Sequence, residues 1–515
     1  MNAFSNEPLT DFSAKENIQA FESALQKVES EAGRIYPLVI DGKEVDTKGK
    51  FKSVNPSDPS RVLAVFSKAG RQEARDAIAA ALRAFPDWSS LSAKDRAWCL
   101  FEAAKKMRQR KHEFSAAMVL ECGKSWVEAD ADTAEAIDFM EFYGREALRY
   151  AEKQPLTQIS AEHAELFYIP LGVGAVIPPW NFPLAILVGM TTAALVSGNT
   201  VVLKPSSDSP WIGFRFFKLM QEIGLPAGVL NFMPGSGAEC GEELVCHPKT
   251  RFISFTGSKE VGLHIIEEAA KHRPGQIWIK RVVAEMGGKD TIVVDEDCDI
   301  DGAVAATVSS AYGFSGQKCS ACSRVIVHGK IYDVFKEKLL AMVKTIKVGD
   351  VRDPSMFMGP VINEASLNKC LSYVDIGKRE GALIQGGNKL NLPGYFLEPT
   401  VFENIKPGAR LDQEEIFGPI LAMLKADDFE TALKIANATE YGLTGAVWSR
   451  DRNHIEKARR EFFVGNLYFN RKCTGALVGV HPFGGFNMSG TDSKAGGRDY
   501  LLLFLQAKSV SEKIA

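Results

Sequence analysis

The chain has 515 residues, enough for two or three domains with buried cores of their own. Apolar residues make up 45% and charged residues 24%, and a net charge of −3 leaves no basic surplus to hold nucleic acid or an anionic membrane. Nine cysteines in no repeating spacing read as reduced thiols of a cytoplasmic compartment.

The first 21 residues lack a basic start followed by an apolar run, so no signal peptide is read there. Residues 13–33 read as a charged amphipathic helix. "YPLVIDGKEV" follows as a hairpin with Asp41-Gly42 at its turn, and "SVNPSDPS" reads as a loop. From Gln72 to Glu152 apolar residues recur at helical steps. Between 172 and 295 the β-rich runs "VGAVIPP", "TVVLKPS", "VLNFMPG", "FISFTGS" and "TIVVD" alternate with helices at 184–197, 209–223, 238–246 and 259–271. That alternation predicts a doubly wound parallel sheet. A second set runs "SRVIVHG", helix 330–345, "GPILAML", helix 427–438, "GAVWS", helix 451–460 and "GNLYFN". The fold class is α/β, with two such units in series. The longest apolar run, Leu184–Val196, is too short to span a bilayer and reads as a buried helix. "LLLFLQAKSV" reads as a lone strand that caps an edge or pairs with another subunit.

Ligands of open α/β sheets sit at the carboxyl ends of the strands, and four groups of residues there carry chemistry. In "FTGSKEVG", Gly257 and Ser258 end a strand before a helix, where N–H groups and a hydroxyl suit phosphate. "GSGAECG" is one residue too long for a dinucleotide fingerprint. In "GQKCSACSR", Cys319 and Cys322 have Cys-x-x-Cys spacing, but Cys298 and His328, the nearest other ligand types, complete no standard metal set. A helix and turn, not a strand, precede the pair, unlike a dithiol redox motif. A nucleophilic thiol with Lys318 as stabiliser, or two small buried residues, stay open. Glu285 ends an apolar strand before Gly287-Gly288, as a general base or as a turn cap. Asn181, in "PPWNFPLAIL", lies beside a helix start marked by Pro183, as an oxyanion donor or as part of that start alone.

"PPWNFP", "VVLKPS", "FTGS", "AEMGGKD", "GQKCSA", "EEIFGPI" and "HPFGGFNMSG", in this order, resemble the aldehyde dehydrogenase superfamily over about residues 37–515. "GQKCSACSR", "RKCTGALVGVHPFGG" and "SGTDSKAGGRDYL" narrow the resemblance to the 1-pyrroline-5-carboxylate dehydrogenases, which oxidise L-glutamate γ-semialdehyde to glutamate with NAD. The resemblance implies an N-terminal helical arm (1–36), an NAD-binding domain (37–148 and 172–284), a catalytic domain (285–485) and oligomerisation elements (149–171 and 499–515). It makes Cys319 the nucleophile, Glu285 the general base, and the Asn181 amide with the Cys319 N–H the oxyanion hole. Lys204 then meets the adenosine ribose, Ser258 the pyrophosphate, and Glu415 and Phe417 the nicotinamide ribose, with Ile177, Pro179, Trp180, Ser207 and Gly257 completing the cofactor site. Ser320, Gly475 and Ala476 hold the substrate carboxylate, and Phe182 and Phe483 sandwich its aliphatic part. No metal is implied. Many NAD-preferring relatives carry Glu where this chain has Ser207, so NAD with weaker NADP use is expected. The resemblance also implies a homodimer or a hexamer of dimers, with no nucleic-acid or membrane partner. Oxidation of another carboxylate-bearing semialdehyde, succinate or aminoadipate semialdehyde, stays open, as does a non-catalytic binding protein on the same fold.

Overall fold

Only Met286, Gly287, Gly288 and Lys289 separate an edge strand of one large sheet from an interior strand of another. The computed structural model describes residues 3–514. The first sheet orders its strands as 281–285, 252–256, 173–177, 200–203, 230–232, 38–40 and 43–45. Its first five strands are parallel, and the last two form an antiparallel hairpin. Val173–Ile177 and Thr200–Leu203 are almost wholly buried, as parallel strands covered on both faces must be. The Phe252 ring fills the space a side chain at position 174 would need, so only glycine fits there. Asp41 and Gly42 both adopt positive φ, +54° and +72°, the turn that matches strand twist in a two-residue hairpin.

The second sheet orders 382–385, 400–403, 420–426, 322–328, 290–294, 444–448 and 466–469, parallel except for its first strand. "TIVVD" therefore belongs to the middle of this second sheet, not to the first as its position suggested. The strand that ends the first sheet is Arg281–Glu285, which carries the general-base candidate at its carboxyl end. The helical stretch from Gln72 to Glu152 resolves into four helices, 71–90, 93–109, 111–122 and 126–151. Ala185–Val196 is buried on nearly every side, a core helix as its length required.

Three readings change. "SVNPSDPS" is not an open loop: Pro56 and Ser57 form the tight turn of a hairpin between Lys50–Asn55 and Asp58–Ser67, with the Asn55 side chain accepting from the Ser57 N–H at 2.8 Å. The C-terminal strand is not alone, because Leu505–Lys513 pairs antiparallel along its whole length with Glu162–Pro170. Residues 500–504 before it form a 3-10 turn rather than strand. Helix Glu364–Glu380 had no counterpart in the sequence reading, since only Leu367, Cys370, Tyr373, Val374, Ile376 and Gly377 of its 17 residues are buried. Among the described residues, no helix is long and apolar enough to cross a membrane.

A buried charge cluster fastens the crossing between the sheets. The Arg324 guanidinium donates to Asp412 at 2.8 Å and to the carbonyl of Lys289 at 3.2 Å, and Lys289 in turn reaches the Glu414 carbonyl at 2.8 Å. Arg324 and Asp412 are 1% and 0% exposed, so neither can exchange its partner for water. Removing one member strands the other as an unpaired buried charge, which costs about 3–5 kcal/mol. Asp412→Ala should therefore lower the urea midpoint of the chain sharply, whereas the exposed-pair variant Glu456→Ala should leave it within about 0.5 kcal/mol of wild type.

Candidate active site

Strands 173–177, 200–203, 252–256 and 281–285 end side by side, and the residues after each form one wall of a cleft. The facing wall comes from the segments around Cys319, Glu415 and Gly475. A groove and a deeper chamber meet at Cys319, which lines both. Ile177, Pro179, Trp180, Asn181, Lys204, Ser207, Gly257, Ser258, Glu415 and Phe417 line the groove. Phe182, Glu285, Ser320, Gly475, Ala476 and Phe483 line the chamber. The fold thus brings together every site residue named from the sequence. "GSGAECG" is not part of the groove lining: Gly237–Gly241 is a π-helical turn whose Gly241 packs against the Lys204 stem.

The loop that leads to Cys319 is held under strain. Phe314, Ser315 and Gly316 take positive φ in succession, +50°, +56° and +67°. Two of the three pay a steric cost that only a well-fastened loop can carry. Gln317, wholly buried, does the fastening: its amide donates to the carbonyls of Phe314 (3.3 Å) and Pro360 (3.2 Å) and accepts from the Ile362 N–H at 2.8 Å. The Gln317 carbonyl accepts from the Asn181 amide at 3.2 Å, which orients that amide beside Cys319 and leaves its second N–H uncommitted. Burial, reinforced by the carboxyls of Asp290, Glu415 and Glu285, holds the Cys319 thiol well above its ordinary range. Lys318 is not its stabiliser. The Lys318 ammonium turns to Glu128, 2.6 Å away, and is committed there. Cys322 is buried, its Sγ facing the Arg324 carbonyl at 3.3 Å, a neighbour rather than a redox partner of Cys319.

Glu285 accepts from the Ser493 hydroxyl (2.6 Å), the Ser493 N–H (3.2 Å) and the Gly485 N–H (3.4 Å). Burial outweighs these hydrogen bonds and raises its carboxyl to about 7. Gly287 and Gly288 are set by close approach rather than by flexibility. A side chain at 287 would overlap the Glu415 carboxylate, and one at 288 would overlap the Cys319 carbonyl and Asp290. The Gly288 N–H donates to Glu415 at 2.9 Å. Phe417, at φ +64°, meets Trp180 edge to face with centroids 5.4 Å apart. In the groove, Ser258 caps helix Lys259–Ala270 by accepting from the Val261 N–H, so its own proton is free to donate. The buried Lys204 ammonium, lowered by burial, has one acceptor among the described residues, the Pro205 carbonyl at 3.3 Å. Ser207 reaches the Gly235 carbonyl at 3.5 Å, and the adjacent Asp208, also in the groove, is held by the Asn363 amide at 3.2 Å.

Several residues around the site escaped the sequence reading. Glu135 lines the chamber, with its carboxyl raised to about 8 by burial and by Asp132 beside it. Lys124 and Asp132, both 0% exposed, pair at 2.8 Å. Lys124 lies 4.1 Å above the Phe182 ring and 4.5 Å above that of Phe314, and Asp132 accepts from the Ala185 N–H at 2.6 Å. They thereby tie the Asn181–Phe182 segment to the nucleophile loop. In the structure Asp130, Asp132, Thr133 and Asp138 are buried along one helix, which their sequence pattern alone did not show.

Comparison with known proteins agrees with this geometry. The aldehyde dehydrogenase family matches residues 44–510. The chain belongs to that family. It is 58% identical over 509 residues, 99% of each chain, to the 1-pyrroline-5-carboxylate dehydrogenase of Geobacillus sp. (strain WCH70). It is 56% identical, over 99% of each chain, to the enzyme of that name from Bacillus cytotoxicus. A Thermus 1-pyrroline-5-carboxylate dehydrogenase solved with bound NAD superposes with a TM-score of 0.98 at 51% identity, covering 100% of this chain and 99% of the other.

Within this family member the carboxyl near 7 has a direct kinetic consequence. With Glu285 as the proposed general base, which must be deprotonated to act, turnover should rise about tenfold per pH unit below 7 and level off above it. Glu285→Gln should remove that limb together with most of the turnover, as read from kcat at saturating substrate across pH 5.5–9.

Proposed function

We propose that the chain oxidises L-glutamate γ-semialdehyde, the open form of 1-pyrroline-5-carboxylate, to L-glutamate with NAD. The observation that carries this reading is the chamber beyond Cys319. It offers a hydroxyl (Ser320), the turn at Gly475 and Ala476, a carboxyl (Glu135) and two aromatic walls (Phe182, Phe483). That set matches a substrate with a carboxylate, an ammonium and a short aliphatic chain leading to the aldehyde. The names of the similar enzymes and the NAD held by the Thermus structure support it.

The chemistry follows from the side chains. Cys319 Sγ bonds to the aldehyde carbon, its proton passing to water, and the negative charge moves to the aldehyde oxygen. The Asn181 amide and the Cys319 N–H receive that charge, each donor being worth about 3–4 kcal/mol of barrier. The groove fits NAD, with Lys204 and the Ser258 end of a helix for the ribose and phosphates and Glu415 and Phe417 at its inner end. When bound, NAD supplies the hydride acceptor for the oxidation. The acyl group is left on Cys319 as a thioester. Glu285 takes a proton from the attacking water, the C–S bond breaks, and the thiol returns.

Residues 37–148 and 172–284 serve as the cofactor domain and 285–485 as the catalytic domain in this reading. The exposed ribbon of Glu162–Pro170 and Leu505–Lys513 is the element through which copies assemble as dimers or hexamers of dimers. Nine unpaired thiols suit a reducing cytoplasm.

NADH formation from 1-pyrroline-5-carboxylate, succinate semialdehyde and propanal tests the substrate assignment. The first should be preferred, and equal rates on all three would refute it. Cys319→Ala should lower kcat by about four orders of magnitude, while Cys322→Ala should keep nearly all activity. Because the Glu135 carboxyl is raised to about 8, Glu135→Gln should raise KM for glutamate semialdehyde roughly 30-fold above that pH, about 2 kcal/mol of a charged hydrogen bond, less at pH 7, and leave propanal unaffected. With Ser207 in place of a carboxylate, NADP should support slower but measurable turnover.

A further inference from the structure

Ser493 takes up one carboxylate oxygen of Glu285 and turns the side chain toward the 484–493 wall, and the surroundings of Ser493 hold it in place to do so. Residues 489–491 are zipped along the end of strand 281–285. The Met286 N–H donates to the Ser489 carbonyl at 2.8 Å, the Thr491 N–H donates to the Ala284 carbonyl at 2.8 Å, and the Ala284 N–H donates to the Thr491 hydroxyl at 3.1 Å. This pairing sets the register of the following turn against Glu285. Asp492 and Lys494 on either side of Ser493 both take positive φ, +53° and +54°, an unfavourable conformation for side chains other than glycine. The turn aims the Ser493 hydroxyl and N–H at the same carboxylate oxygen, at 2.6 and 3.2 Å. Ser493 itself is 4% exposed.

The other groups facing the carboxylate do not compete. Lys494 is nearby, but its ammonium is used up on the carbonyls of Gly465 (2.8 Å) and Gly484 (2.7 Å) and on Asp492 (2.9 Å). Tyr500 and Tyr143 line the same chamber, as do the Cys319 thiol and Glu135, and none of them hydrogen-bonds to Glu285. Among the described residues, Ser493 is the one side chain that donates to it.

We infer that Ser493 is the positioning residue that docks Glu285: it holds the carboxylate against the 484–493 wall while Cys319 attacks, and releases it to the water that cleaves the thioester. The inference rests on Glu285 being the general base. Docking keeps a negative charge off the thiol sulfur during bond formation, when a closer carboxylate would oppose it. Hydrogen bonds to the charged form also make the base available at neutral pH, so their loss should delay it to higher pH.

Ser493→Ala, Ser493→Thr and Glu285→Gln should be compared with wild type in the full chain, with glutamate semialdehyde and NAD at each pH. In Ser493→Ala the acidic limb of kcat should move up by about one pH unit, with KM for NAD unchanged. Ser493→Thr, which keeps the hydroxyl, should return the limb to its wild-type position. A folded Ser493→Ala enzyme with an unmoved limb would overturn the inference, as would a loss of kcat equal at all pH or no rescue by threonine. If alanine does not fold, Ser493→Cys, nearly isosteric with a weaker donor, replaces it with the same expected direction. Glu285→Gln separates the two claims: full turnover in that variant removes the general base itself, whereas its loss alongside an unmoved limb in the Ser493 variant removes only the dock.

Discussion

The packing of Gly287 and Gly288 between the Glu415 and Cys319 segments is the contact on which the site depends. The chain leaves the first sheet at Glu285 and enters the second at Asp290, and those few residues touch both walls of the cleft. Gly287 admits the Glu415 carboxylate, and Gly288 admits the backbone carbonyl of Cys319. Glu285, Cys319 and Glu415 are thus referenced to one short segment. The buried Arg324–Asp412–Lys289 cluster, tied also to the carbonyls of Glu414, Ile435 and Ala436, keeps that segment from shifting.

Electrostatics around the thiol explain how a reactive residue is kept quiet. Burial and the carboxyls of Asp290, Glu415 and Glu285 all disfavour the thiolate, so at rest Cys319 is a thiol. In the proposed mechanism the Asn181 amide and the Cys319 N–H are therefore what makes attack feasible, since they stabilise the charge only once it sits on the aldehyde oxygen. Gln317 matters for the same reason. It orients the Asn181 amide through its backbone carbonyl while its side chain clamps the strained 314–316 turn.

Much of this was legible in the sequence because it lies in short contiguous motifs. Asn181, Lys204, Ser258, Glu285 and Cys319 each follow a strand, helix or turn whose local pattern is clear, and the α/β alternation says that strand ends converge. The crossing between sheets was not legible. "TIVVD" reads the same whether its neighbours are Val325 and Ala446 or strands of the first sheet. The polar residues of the long helix 126–151 were equally silent about direction: Asp132 and Glu135 become part of the site only because the helix packs against Ala185–Val196. Lys318 was misread because its spacing from Cys319 suggested contact, whereas adjacent side chains in this turn diverge and Glu128 captures the ammonium. The C-terminal strand needed a partner more than three hundred residues away, which no local pattern announces.

Covalent capture tests the central claim, that Cys319 carries the acyl group and Glu285 is needed only to remove it. Glu285→Gln enzyme should be mixed with 1-pyrroline-5-carboxylate and NAD, then quenched and digested for mass spectrometry. A burst approaching one NADH per chain is expected, with a glutamyl adduct on the Cys319 peptide that persists far longer than in wild type. No burst, or an adduct on any other residue, would contradict it.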